Sequence, residues 1–313
     1  MQFNFRYVFV TGLVAMVIVC LASIAPPANF TSGTIFIESG DSLLQIASSL
    51  KERHLIAHPQ LLRLLLRVTG KSDQVQTGAY QFNKAENLVA IAYRLVKGDY
   101  RLPSARVTLI EGMTVRDYAE ILSTVMPSIA RAEFISAAKQ YEGYLFPDTY
   151  LLPPGVTPSA VIEILRDNFT IKVGPLNGDI IASGHSQSDI VIMASLVEKE
   201  ARTDANRRLV AGVLWNRVKR DMPLQVDAVF GYIFNRDTYS PSFDDLKVDS
   251  PYNTYIHRGL PPTPIDNPGI QSIKAAINPT PSTYLYYLTD TQGVMHYAET
   301  YDQHLANQRT YLK

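Results

Sequence analysis

Two glutamates flank one lysine in Glu198-Lys199-Glu200, directly after the apolar run Ile190-Val191-Ile192-Met193-Ala194-Ser195-Leu196-Val197. A carboxyl carried by such a segment is delivered to the rim of an apolar interior, where loss of hydration disfavours the charged form and raises the pKa. A general acid needs that property. To protonate a leaving oxygen such as that of a glycosidic bond near neutral pH, a glutamate has to be lifted from about 4.3 toward about 6 or 7. The plainer reading is a pair of hydrated residues at a helix end. On a helical wheel Glu198 and Glu200 lie on opposite flanks of the apolar stripe, about equally far from its centre, and Lys199 points away from it, so spacing does not choose between them.

The element that must hold these carboxyls is a helix predicted over 189–202, with Ser188-Asp189 as its cap and Ile190, Met193, Ala194, Val197 and Ala201 on one buried face. Around it the chain alternates helices (158–170, 206–219) with loops dense in Pro, Asn, Tyr and Gly. A hairpin (284–288 and 294–298, joined through Thr289-Asp290-Thr291-Gln292-Gly293) and a helix over 301–312 follow. Upstream, a strand over 34–38 leads through Gly40-Asp41-Ser42 into a helix whose Leu43, Ile46, Ala47 and Leu50 fall at i, i+3, i+4 and i+7. A small polar residue ahead of such a stripe recurs at Asn87 (Leu88, Ile91, Ala92, Leu95) and Thr114 (Val115, Tyr118, Ala119, Leu122). The unequal offsets exclude a regular solenoid. A second helix over 59–68 and strands over 78–82 and 107–110 complete this part, and a boundary is expected near residue 130. The predicted class is α+β.

Lys plus Arg and Asp plus Glu both number 29, so the chain lacks the basic excess that phosphate backbones select, and no nucleic-acid partner is expected. Residues 7–25 carry no charge for 19 residues, about enough to cross a bilayer core, with Arg6 before them and Pro26-Pro27 after. This predicts a single-pass N-terminal transmembrane helix in the cytoplasmic (inner) membrane, over a region 1–28, with the C-terminal remainder extracytoplasmic. The only cysteine, Cys20, lies within that run, leaving no disulfide or thiolate in the exported part.

Four separated blocks resemble one family: Glu142-Gly143-Tyr144-Leu145-Phe146-Pro147-Asp148-Thr149-Tyr150, Ala194 to Glu200, Leu224-Gln225-Val226-Asp227, and Ser250-Pro251-Tyr252-Asn253-Thr254-Tyr255 with Gly259-Leu260-Pro261-Pro262. In order and content they are similar to the endolytic murein transglycosylases (MltG, YceG-like). Ile37-Glu38-Ser39-Gly40-Asp41-Ser42-Leu43 resembles a LysM-like module, so 29–130 is expected to be a LysM-like α/β region and 131–313 a mixed α+β catalytic domain.

The resemblance implies an enzyme that cleaves the MurNAc-GlcNAc β-1,4 bond of nascent glycan strands and leaves 1,6-anhydro-MurNAc ends. Glu200 matches the family's single acid/base, with Glu198 in reserve, while Gln225, Asp227, Tyr252, Asn253, Thr254 and Tyr255 match the substrate-binding blocks. Peptidoglycan glycan strands and peptidoglycan synthases are the implied partners, and no metal or cofactor is expected. Ala228-Val229 stand where the family usually has Pro-Thr, and Thr263 where Gly often follows the double proline. The alternative is a non-catalytic peptidoglycan-binding scaffold of the synthesis machinery, which needs no acid.

Other signals carry less. His54 and His58 stand at i,i+4 without a third ligand, Gly70-Lys71-Ser72 lacks the first glycine of a P-loop, and Ser48 and Ser136 precede lysines without the companion motifs of penicillin-binding enzymes. Tyr144, Phe146 and Tyr150 read as wall and core.

Overall fold

The computed structural model describes residues 23–38, 40–236 and 240–312. It is a mixed α+β protein in which the strands among the described residues form three two-stranded sheets. The described residues divide into two compact units, those up to 106 with 151–161 and those of 107–150 with 162–312.

In the first unit β1 (Gly33–Ile37) and β2 (Gly78–Phe82) pair antiparallel, with Ile35 opposite Tyr80, and α1 (Leu43–Glu52) and α2 (Pro59–Val68) lie between them in sequence. α3 (Leu88–Lys97) follows. The anticipated caps form: Ser42 and Gln45 make a reciprocal capping box, and the Asn87 side chain accepts from the Ala90 N–H. Ile46, Ala47 and Leu50 of the first stripe and all of Leu88, Ile91, Ala92 and Leu95 are buried against Ile35, Leu62, Leu66 and Tyr80. Residues 151–161 return here, where the Ala79 N–H donates to the Pro154 carbonyl.

The chain enters the second unit within β3 (Ala105–Thr108) and continues through α4 (Val115–Val125), α5 (Arg131–Ala138) and β4 (Thr149–Leu152). Packing thus divides the chain after Arg106, whereas the boundary read from sequence lies near 130. The reason is local: α4 packs on α5, and its first N–H, that of Val115, donates to the buried Glu142 carboxylate. α6 (Pro158–Val173) and α7 (Asn177–Ser183) then lead to α8 (Gln187–Glu200). Its cap is Ser186 rather than the expected Ser188, because only Ser186 stands three residues before Asp189 and so can exchange hydrogen bonds with it.

All of Ile190 to Val197 is buried, since α8 is covered by α9 (Asp204–Lys219), α10 (Ala228–Phe234) and α11 (Ile270–Ile277). The hairpin of β5 (Tyr286–Thr289) and β6 (Met295–Ala298), then α12 (Tyr301–Tyr311), close the unit. Sequence periodicity had not located α5, β4, α7, α10 or α11. Each is short, and α11 follows Asn267-Pro268-Gly269, which reads as a turn.

The apolar run that suggested a membrane span lies outside the described residues up to residue 22. Among the described residues no single helix is long and apolar enough to cross a membrane. A bent pair, 158–183 with α8, passes on composition, but α8 owes its apolar character to the core it fills.

Candidate active site

α8 delivers Glu198 and Glu200 to different surroundings. Glu198 is tied down: Arg207 Nη2 donates to its Oε1 at 3.1 Å, the Gly269 N–H donates to its Oε2 at 2.9 Å, and the side chain is 6% exposed. Both oxygens therefore serve to join α8 to α9 and to the start of α11, where a negative charge suits the helix dipole. Glu200 is different. Its Oε2 accepts from the Tyr287 hydroxyl at 3.0 Å, and the half-buried side chain forms part of the wall of a pocket of about 520 Å³ together with Lys199, Asp227, Tyr232 and Ile265. Desolvation, reinforced by the Asp227 charge and opposed by the Tyr287 hydrogen bond, pushes the Glu200 carboxyl up to about 7.

The expected substrate-binding residues fall into two groups. Asp227 shares the pocket with Glu200 and accepts a hydrogen bond from the Tyr255 hydroxyl, whose pKa burial and that same carboxylate push up. Gln225 adopts a left-handed backbone (φ 53°), donates its N–H to the Thr254 carbonyl and accepts from Arg217 Nη1 at 3.2 Å. Tyr252 pairs its hydroxyl with Thr263 at 2.7 Å and sets its ring 5.0 Å from that of Tyr232 on the pocket wall. Asn253 and Thr254, by contrast, are buried. Asn253 gives both amide hydrogens to the carbonyls of Leu246 and Val248 and accepts from the Tyr255 N–H, and Thr254 Oγ1 accepts from the Val226 N–H. These two shape the loop from beneath instead of facing open space. Of the two departures beside Asp227, Ala228 lines the pocket and Val229 is core.

Sequence reasoning missed Tyr287, the hydrogen-bond partner of Glu200, which comes from 87 residues away. It missed Arg207 and the buried Arg217, which donates to the carbonyls of Leu285, Leu224 and Pro223 as well as to Gln225. Nothing linear marks such pairings. Glu142 was quoted only as part of a block: it is buried, accepts from Val115 N–H and Asn267 Nδ2, and is raised to about 8 by desolvation. Asn267 Oδ1 also accepts from the Gly143 and Leu145 N–H groups, which locks that block. Gly143 is required there, because a Cβ at its positive φ would lie 2.4 Å from Pro264.

A carboxyl whose pKa burial raises to about 7, lining a pocket beside a second carboxylate, is a candidate for general acid–base work. Residues 35–310 match the YceG-like family, and the chain belongs to that family. It is 30% identical over 309 residues to a Bacillus subtilis protein named endolytic murein transglycosylase, covering 90% of this chain and 85% of that protein. A Streptococcus pneumoniae protein of the same name is 28% identical, covering 88% of this chain but 57% of its own length. Among solved structures, a YceG-like protein from Listeria monocytogenes superposes with a TM-score of 0.60 at 27% identity, covering 89% of this chain and 99% of that one.

Proposed function

We propose that the chain is a lytic transglycosylase of peptidoglycan that cuts the MurNAc-GlcNAc β-1,4 bond with Glu200 as its single acid/base. The observation that carries this is the division of labour on α8: Glu198 is consumed by Arg207 and Gly269, while Glu200 keeps a carboxyl raised to about 7 at the wall of a pocket. In the first step Glu200 gives its proton to the glycosidic oxygen as the bond from C1 breaks, and the leaving sugar departs with a new hydroxyl. The C6 hydroxyl of the muramic sugar then attacks C1 and returns its proton to the Glu200 carboxylate. The product is a 1,6-anhydro end, and the enzyme is regenerated with no water consumed. Asp227 offers negative charge to the oxocarbenium-like transition state, and Gln225 and Tyr255 orient the sugars.

The βααβ first unit supports the LysM-like reading, and we place it as a further hold on the glycan. Residues 7–25 are proposed as a single inner-membrane span, restricting the exported enzyme to strands near the bilayer and to the synthases that make them. The test is digestion of purified sacculi with mass spectrometry of the soluble fragments. Wild type releases anhydro-ended fragments and Glu200→Gln releases about a thousandfold less; equal release by the two removes Glu200 from the chemistry, and hydrolysed ends from wild type remove the transglycosylase reading.

A further inference from the structure

The pocket that holds Glu200 has a basic wall that the proton chemistry does not use. Arg116 of α4, Arg131 of α5, Lys199 of α8 and Arg236 after α10 all line it. Its acidic residues, Asp117, Glu120, Glu200 and Asp227, equal these cations in number, and each has a hydrogen-bond or ion-pair partner of its own. Asp117 accepts from the backbone and hydroxyl of Thr114 at the start of α4, Glu120 pairs with Arg131, and Asp227 accepts from Tyr255. Burial leaves the Glu200 carboxyl partly uncharged at neutral pH. Among the described residues Arg116 and Lys199 are exposed and form no ion pair, and each acts through space on a buried carboxyl, Arg116 on Glu142 and Lys199 on Asp266. N-acetylglucosamine carries no charge, and the lactyl carboxyl of N-acetylmuramic acid loses its own once a peptide is amide-linked to it, so the backbone of a peptide-bearing strand gives these cations nothing to bind. The charges of peptidoglycan lie on the peptides attached to its muramic sugars.

We propose that Arg116 and Lys199 form an anion subsite that binds a free carboxylate of the substrate's stem peptide and so selects peptide-bearing strands. The inference rests on the reading of the pocket as the glycan-cutting site. The two cations come from different helices, α4 and α8, and line the same pocket as the acid, so a peptide branching from a sugar in that pocket can meet them. Because both are solvent-exposed, each contact is modest and weakened by salt.

The experiment compares full-length wild type with Arg116→Gln/Lys199→Gln on uncrosslinked peptide-bearing strands, either native or with their carboxylates converted to methylamides. The double variant is expected to raise KM about fivefold on native strands at low salt with kcat unchanged, and to match wild type on the amidated strands. An equal effect on both substrates, or none on either, overturns the proposal. A parallel titration of Glu200→Gln with a soluble muramyl peptide, with and without the two further substitutions, does not depend on turnover. Binding there that ignores Arg116 and Lys199, or no binding, overturns the subsite. Charge-dependent binding alongside a wild type that cuts nothing overturns instead the transglycosylase reading.

Discussion

Glu142 and Glu200 lie in the same unit and burial lifts both carboxyls, to about 8 and about 7, yet their surroundings are opposite. Glu142 is sealed. Its Oε1 is fixed by the Val115 N–H and Asn267 Nδ2, and the Asn267 that holds it also holds Gly143 and Leu145. Glu200 has one side-chain hydrogen bond, from a tyrosine, and open space beside it. A raised pKa therefore marks burial in both places and a candidate catalyst in only one; access to a ligand-sized pocket makes the difference. Glu198, two residues from Glu200, sharpens the point, because it is neither sealed in an apolar interior nor open, but neutralised by Arg207.

The largest expected effect breaks the comparison at its catalytic end. Glu200→Gln keeps size and hydrogen-bonding shape, so thermal unfolding should stay near wild type while the rate of anhydro-end release falls about a thousandfold. Next is Glu198→Gln, which removes one of the two carboxylates paired with the largely buried Arg207 and leaves the exposed Asp204 as the other. Stability by urea unfolding should drop by about 2 kcal/mol, with the remaining folded protein still active.

Smaller shifts should appear in the pH profile. Glu200 acts as an acid only when protonated, so kcat/KM should fall as pH rises through about 7. Tyr287→Phe deletes a hydrogen bond that favours the charged form and should move that limb upward. Asp227→Asn deletes a repelling charge and should move it downward, each by about one unit or less.

The smallest effect is at Glu142. With its carboxyl raised to about 8 it is mostly neutral in the folded state at pH 7, and below about pH 4.5, where the unfolded chain is neutral too, Glu142→Gln should change stability by only about 1 kcal/mol. The folded state holds this proton more tightly than the unfolded chain, so the contribution is full below about 4.5 and lost as pH rises through about 8. Wild-type stability should fall across that window relative to the glutamine variant, with activity preserved in both.

Much of this was legible in order along the chain. The stripe of α8 is buried as its spacing required, and the stripes after Asn87 and Thr114 are capped and buried as read. The closing hairpin also forms. The choice between Glu198 and Glu200 was not legible, because it depends on Arg207 and Gly269 on one side and on Tyr287 and Asp227 on the other, all brought in by tertiary packing. The burial of Asn253 and Thr254 was not legible for the same reason: a polar loop residue looks alike from sequence whether it faces a ligand or props the loop from inside. α11, which covers α8, was invisible because it is short and starts behind a proline and a glycine.

The most direct test is the titration of one side chain. With glutamate δ-carbons labelled with carbon-13 and the Glu200 signal assigned by its loss in Glu200→Gln, NMR should give an apparent pKa of about 7 for that carboxyl. Titration near 4.5, the ordinary value for a hydrated glutamate, would mean that the carboxyl is charged at neutral pH and does not supply the proton.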